Sequence, residues 1–274
     1  MSSVWILSAA ILLGNASFAA AQSSPPPAQP PPDTQVEEAR PHPAEPDFRI
    51  VSLPTTLTQP KGKWGFAITH RFNGNLRRGD FVDQLETLFG IDDGATIGID
   101  LRYAVTNRLQ AIFLRTNIDR TIQFAAKYDA VRQGSFPVSL SPIVSVDGGD
   151  NFRERYQPAV AVAMARALGE RIVLHAVPTW AGNTDSAERH TAFIGLGGRL
   201  EIRPRTFVVF EVSPRVAGYR PGVTMYGVAI ERRVGGHVFQ LNFTNTPAAT
   251  LPQIARGGFV ENLNLGFNIT RKFY

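Results

Sequence analysis

Between residues 94 and 106 apolar and polar side chains alternate without a break. Ile97, Ile99, Leu101, Tyr103 and Val105 share one face; Gly98, Asp100, Arg102 and Ala104 share the other. A period of two marks a strand with one apolar face. The run exceeds the roughly five or six residues of an average globular strand and matches a tilted membrane-crossing strand of about nine to eleven. The same texture recurs along the chain. Trp64, Phe66 and Ile68 align in 63–72; Ile122, Phe124, Ala126 and Tyr128 in 120–132; Tyr156, Pro158, Val160, Val162 and Met164 in 153–166. Further runs lie at 170–181 (Ile172 to Trp180), 190–202 (Ile194 to Ile202), 222–233 (Tyr226, Val228, Ile230) and 236–245 (Phe239, Leu241, Phe243). The last run carries Leu263, Leu265, Phe267, Ile269 and Phe273. Weaker alternation at 108–117, 136–145 and 205–213 brings the predicted count to about twelve, by the same period-two criterion.

The connections alternate in length. Tight links fall at Thr106-Asn107, Gln133–Ser135, Leu168-Gly169, Arg203-Pro204 and Gly235-Gly236. The intervening links are 73–93, 117–119, 146–152, 182–189, 214–221 and 246–258, all but 117–119 longer than the tight set. Outer-membrane barrels have short periplasmic turns and longer outer loops, and an even strand count returns both termini to the periplasm. One helix is predicted, over 80–89: Phe81, Leu85 and Leu88 are spaced for one helical face, with Asp80 to cap it and Gly90 to stop it. It belongs to the first outer loop, over the mouth or in the lumen.

The chain opens differently. Residues 4–13 form an apolar run too short to span a bilayer, which takes about twenty residues. Ala19-Ala20-Ala21 follows as a small-residue cleavage site, so 1–21 reads as a secretory signal peptide. Nine prolines then fall in residues 22–47 among few large apolar side chains. Such a segment cannot bury enough surface to order itself and reads as an extended periplasmic tether, 22–48. The expected organisation is therefore signal peptide 1–21, Pro-rich disordered tether 22–48 and barrel 49–274. The fold class is all-β: a closed antiparallel transmembrane barrel with short periplasmic turns, longer outer loops and one short loop helix. Closure follows because an open sheet edge cannot be satisfied in hydrocarbon.

Composition narrows the function classes. With no cysteine among 274 residues, disulfides, thiolate metal sites, a Cys nucleophile and a lipidated N-terminal Cys are excluded. The tether 22–48 carries a net charge of −4 and 49–274 a net +9, but the basic residues are dispersed and no nucleic-acid motif is present. No cofactor is implied. The expected partners are outer-membrane lipid, the barrel-insertion machinery and a periplasmic partner for the tether; no nucleic acid is expected.

Strand parity assigns two faces. Trp64, Tyr103, Tyr128, Tyr156, Trp180 and Phe273 sit near strand ends, as an aromatic girdle requires. The opposite, inward set is polar. Its proposed lumen-lining members are Asp100, Arg102, Lys127, Asp129, Arg155, Arg199, Glu201, Glu211, Gln240 and Asn242, with Arg153, His175 and Glu231 on the same parity. Lys or Arg and carboxylates balance, which predicts a salt-bridged, hydrated lumen. Arg166 falls on the lipid parity, at a strand end where it can snorkel.

Three segments carry a family likeness: KGKWGFAITHRF (61–72), LFGIDDGATIGIDLRYAVTNRLQ (88–110) and KYDAVRQGSFPVSLSP (127–142). They resemble an uncharacterised family of membrane-bound β-barrels, domain of unknown function 5777. The matching features are His70-Arg71-Phe72; Leu88, Phe89, Gly90 and Asp92; Tyr103, Thr106, Arg108 and Leu109; Lys127-Tyr128; and Arg132-Gln133. The resemblance implies a membrane barrel and no activity. The last strand also resembles the C-terminal signal read by barrel-insertion machinery, except that its alternating set ends on Phe273 with Tyr274 beyond and Arg271 interrupting.

The residues offer little catalytic chemistry. A Ser nucleophile needs a His within reach; His42 lies in the tether, and His70, the best placed of His70, His175, His190 and His237, has no obvious Ser. No two histidines have short ligand spacing. Asp92-Asp93-Gly94 and Asp147–Asn151 read as turns before they read as calcium loops. Gly195-Leu196-Gly197-Gly198 lies within a strand with no helix after it, so it suits close packing rather than phosphate. The leading expectation is a passive channel for small solutes. A non-conducting, partner-anchoring barrel is the alternative, and an outer-membrane hydrolase stands third.

Overall fold

The computed structural model describes residues 44–274, apart from Ser186 and Glu188. The expected signal peptide, 1–21, and most of the expected tether, 22–48, lie outside the described residues. Thirteen strands form one antiparallel sheet that closes on itself. They are β1 (Trp64–Phe72), β2 (Ala95–Ala104), β3 (Leu109–Thr116), β4 (Ile122–Tyr128), β5 (Ser139–Gly148), β6 (Glu154–Leu168) and β7 (Ile172–Ala181). The circuit continues with β8 (Thr191–Arg203), β9 (Thr206–Ser213), β10 (Arg215–Gly218), β11 (Met225–Val234), β12 (His237–Thr244) and β13 (Asn264–Lys272). Strand β1 pairs with both β2 and β13, which closes the barrel. The short β10 prolongs β9 beyond Pro214 and pairs with the start of β8. The wall therefore has twelve staves, as the alternation predicts.

Alternation along each strand is visible as burial. In β2 the outward Ile97, Ile99 and Leu101 are exposed while Asp100, Arg102 and Ala104 are buried. The outer surface is thus an apolar belt, which suits lipid. Trp64, Tyr128, Tyr156, Trp180 and Phe273 are exposed near strand ends, and the Trp64 ring lies 4.6 Å from that of Tyr103. No helix among the described residues is long and apolar enough to cross a membrane.

One end of the barrel carries short turns, with one departure. The β4–β5 connection, expected to be tight at Gln133–Ser135, spans 129–138 and is pinned by a Val131–Leu140 bridge. At the long-loop end, the brief β3–β4 link is a 3-10 turn at Ile118–Arg120.

The predicted loop helix forms over Phe81–Glu86. The Asp80 carboxylate accepts the Val82 and Asp83 N–H groups at 2.8 and 3.1 Å, and the Asp83 side chain accepts the Asp80 N–H at 2.8 Å. It ends earlier than 89 because Leu88 and Phe89 adopt positive φ. None of its residues is buried, so it lies outside the lumen. A second helix, Leu251–Ala255, was not expected. Thr250 caps it, Pro252 occupies its first turn, and all five residues are buried.

Candidate functional site

The lumen is filled from both ends. From the short-turn end the chain enters as a hairpin, residues 44–59, before reaching β1. Ala44, Phe48, Ile50, Val51 and Leu53 are each at most 1% exposed. This places the last residues of the expected tether and the first of the expected barrel domain inside the barrel, and the wall itself starts at Trp64. The hairpin is closed by the Thr55 N–H donating to the Phe48 carbonyl at 2.9 Å and the Ile50 N–H to the Leu53 carbonyl at 2.8 Å.

Side chains from strands all round the circumference hold this hairpin by its backbone. On β9, the Glu211 carboxylate accepts three successive N–H groups, from Val51 (3.0 Å), Ser52 (2.9 and 3.0 Å) and Leu53 (3.1 Å). Consecutive amides turned toward one point form an anion-binding concavity, here occupied by the barrel's own carboxylate. The carbonyls point the other way. Gln240 Nε2 donates to the Ile50 carbonyl at 2.7 Å and Asn268 Nδ2 to the Val51 carbonyl at 2.8 Å. Arg199 donates to the Arg49 carbonyl, and Lys127 donates to the Thr55 carbonyl at 3.2 Å and to that of Leu57.

Three of the buried guanidinium groups are paired with carboxylates. Arg49 of the hairpin meets Asp100 of β2 at 2.7 Å, and Asp100 also holds Arg102 at 2.7 Å. Arg199 and Glu231 pair at 3.2 Å with both side chains fully buried. Gln240 links Glu231 (2.8 Å) to Asn268 (2.9 Å). The Phe48 ring sits among three cations, with Arg102 at 4.9 Å, Lys272 at 5.4 Å and Lys127 at 6.0 Å from its centroid. Cation–π attraction of this kind is worth up to about 2 kcal/mol when desolvated.

Apolar seats complete the fit. A Cβ on Gly195 would lie 2.5 Å from Leu53 Cδ2, and one on Gly197 would lie 2.9 Å from Ile50 Cδ1. Gly195 and Gly197 of β8 are therefore sockets for the hairpin tip, in accord with their reading as close-packing residues.

From the long-loop end, residues 245–258 fold down into the barrel. Their helix, Leu251–Ala255, packs against the small inward residues Ala159, Ala161 and Ala163 of β6 within one buried cluster. Thr250 Oγ1 donates to Asp147 Oδ2 at 2.5 Å. The two inserts meet at Arg49, whose Nη1 donates to the Ala249 carbonyl at 2.7 Å.

Most of the parity assignments converge here. Asp100, Arg102, Lys127, Asp129, Arg199, Glu211, Gln240 and Asn242 are at most 4% exposed. Of these, Asp129 instead holds Arg132 of the β4–β5 connection. Two assignments need correction. Arg155 has inward parity but positive φ at the rim, where it is exposed and pairs with Glu154 at 3.2 Å; its neighbour Arg153 is exposed too. Glu201 lies partly exposed at the opposite rim and accepts the Arg205 N–H at 2.7 Å. Parity names a face; it does not name a depth. The lumen is also not the hydrated space that the charge balance suggested, since protein backbone fills it.

Several contributors were missed: Arg71, Asn268, Thr270 and Lys272, all buried. Each lies on the inward parity of β1 or β13 and was legible by the same rule. The hairpin was not, because Phe48–Leu53 breaks the tether's polarity without alternating. His70 lies on the outward face, its ring stacked on Phe267 at 4.6 Å, which removes it from any luminal catalytic group. Buried His175 has no hydrogen-bond partner on either ring nitrogen.

Among solved structures, the NanC porin superposes with a TM-score of 0.50 and 6% identity, covering 76% of this chain and 98% of its own. A triple mutant of the Rh. blastica porin matches with a TM-score of 0.36 and 13% identity over 65% of this chain. That match spans 55% of the Rh. blastica porin chain. At 6% identity the NanC likeness is one of fold. No curated protein sequence matches the chain. A model of the membrane bound beta barrel domain (DUF5777) matches residues 46–273, hairpin and wall together, and the chain belongs to that family.

Proposed function

We propose that the protein is a porin-like outer-membrane barrel that is shut at rest by its own N-terminal hairpin and admits small hydrophilic solutes when the hairpin leaves. The observation that carries this reading is the chemistry of the hairpin's seat. The wall meets the hairpin with Asp100, Arg102, Lys127, Arg199, Glu211, Gln240 and Asn268. A permanent core of this volume is served as well or better by apolar packing, since buried ion pairs give little net stability over hydrophobic replacements. A polar seat has a different merit: once vacated, it can be hydrated. Twelve strands lie between the eight whose interior side chains fill and the sixteen that leave an open channel.

In this reading the short turns and both termini face the periplasm, residues 1–21 direct export, and the Pro-rich stretch gives a periplasmic partner a handle on the hairpin. The alternative is a non-conducting, partner-anchoring barrel, favoured by the second insert at 245–258. Planar-bilayer recording separates the two. The chain from residue 22 should be mostly silent, and a chain starting at residue 60 should show discrete openings. Silence from a folded chain lacking the hairpin would leave the anchoring role.

A further inference from the structure

At the long-loop rim lies a cleft of about 540 Å³ lined by Arg215, Arg220, Gly222, Val223, Thr224 and Tyr226. In the lumen Arg49, Arg102 and Arg199 each meet a carboxylate. Among the described residues, neither Arg215 nor Arg220 is within ion-pair distance of a carboxylate. A third guanidinium reaches the cleft from the first loop, where Arg77 Nη2 donates to the Tyr226 hydroxyl at 2.7 Å. That hydroxyl is thereby an acceptor, and its own proton remains free to donate. Arg215 is fixed rather than mobile. Its Nη1 donates to the Pro221 carbonyl and, at 3.2 Å, to that of Arg256, while its Nε is buried with no acceptor.

We infer that this cleft binds an oxyanion of the phosphate class. Guanidinium groups match tetrahedral oxyanions through paired, charge-assisted hydrogen bonds. The arrangement supplies the remaining Nη2 donors of Arg215, the exposed Arg220 guanidinium and the Tyr226 hydroxyl backed by Arg77. An anion here would relieve the repulsion between the two uncompensated cations.

The position gives the site a consequence. Arg256 follows the helix Leu251–Ala255, and Val223 exchanges backbone hydrogen bonds with Gly258 at 3.1 and 2.8 Å. The cleft therefore sits on the neck of the insert that fills the long-loop half of the lumen. A bound oxyanion would brace Arg215 against that neck. This does not depend on whether the barrel conducts.

Phosphate reaches such a rim either as a free solute or on a lipid headgroup. The test uses the chain from residue 22, refolded in uncharged detergent and titrated calorimetrically with inorganic phosphate at constant ionic strength. A second arm measures partition onto phosphatidylcholine vesicles with and without phosphatidic acid. Saturable binding of phosphate supports the site as a solute site, and preference for phosphatidic acid alone supports it as a headgroup site. In either arm Arg220→Ala should weaken binding about tenfold, the loss of one charge-assisted contact, and Arg220→Lys should restore part of it. Arg220 is exposed, and a urea-unfolding midpoint equal to the parent's confirms that each variant is folded. No saturable binding in either arm, or binding unchanged in Arg220→Ala and Tyr226→Phe, would overturn the assignment.

Discussion

Arg49 and Asp100 form an ion pair at 2.7 Å with 8% and 1% of their side chains exposed, joining the hairpin to the wall. The same carboxylate holds Arg102, so one anion is shared by two buried guanidinium groups. Asp100→Asn leaves both cations without a charge partner. Breaking a buried pair from one side costs about 3–5 kcal/mol, and the variant should unfold at correspondingly lower denaturant. Arg49→Ala should lose less, because Asp100 keeps Arg102. Urea unfolding of the refolded barrel checks both; an Asp100→Asn variant within about 1 kcal/mol of the parent, inside the range of an exposed pair, would show that the pair carries no such weight.

Gly195 is defined by its neighbour. A Cβ there would approach Leu53 Cδ2 to 2.5 Å and Cδ1 to 2.7 Å, closer than carbon atoms tolerate. Gly195→Val should therefore push out the hairpin tip and destabilise by about 1–3 kcal/mol, as overpacking does. Leu53→Ala removes the clashing atoms and should recover much of that loss in the double variant. Unfolding midpoints of the two single variants and the double variant test the coupling. Strict additivity would mean that the two side chains do not meet.

The outward face has its own test. Ile230 is mid-strand in β11 and 58% exposed. If that face meets hydrocarbon, Ile230→Arg should cost about 2–4 kcal/mol in bilayers, the depth-dependent penalty for arginine on a barrel's lipid face. Arg166, exposed at the end of β6, should tolerate Ala with little change because it reaches the interface already. Folding measured in liposomes decides this. A neutral Ile230→Arg would place that surface in water.

The wall was legible because a two-sided environment imprints a period of two. Asp100, Arg102, Lys127 and Arg199 were all assigned inward from alternation and all are buried. The filling was not legible, for two physical reasons. The hairpin is held by its backbone amides and carbonyls, which every residue carries, so Val51, Ser52 and Leu53 show nothing of Glu211 in their side chains. The helix Leu251–Ala255 is a single turn and a half whose five residues are all buried, so no polar face marks its period. Arg155 shows the complementary failure: its parity is right, but the strand has left the barrel at that point.

The absence of cysteine makes the gate directly testable. A Cβ at Gly195 lies 3.2 Å from Leu53 Cγ. Cysteines at 53 and 195 would then bring their Cβ atoms close to the roughly 3.5–4.5 Å that a disulfide requires. The double variant Leu53→Cys with Gly195→Cys should oxidise readily and fasten the hairpin to β8. Three preparations separate the outcomes in planar bilayers: the oxidised pair, the same protein after reduction, and a chain starting at residue 60. If the hairpin is a movable gate, the oxidised form stays silent while the reduced form opens intermittently and the shortened chain opens most. The intermittent openings should also become more frequent in Glu211→Gln. That change halves the acceptor capacity of the group now taking three backbone N–H donors, and a lost bond to a charged acceptor is worth about 1.5–3 kcal/mol. Equal conductance from oxidised and reduced proteins would rule out hairpin exit as the opening step, because the solute path would then run past a fixed hairpin.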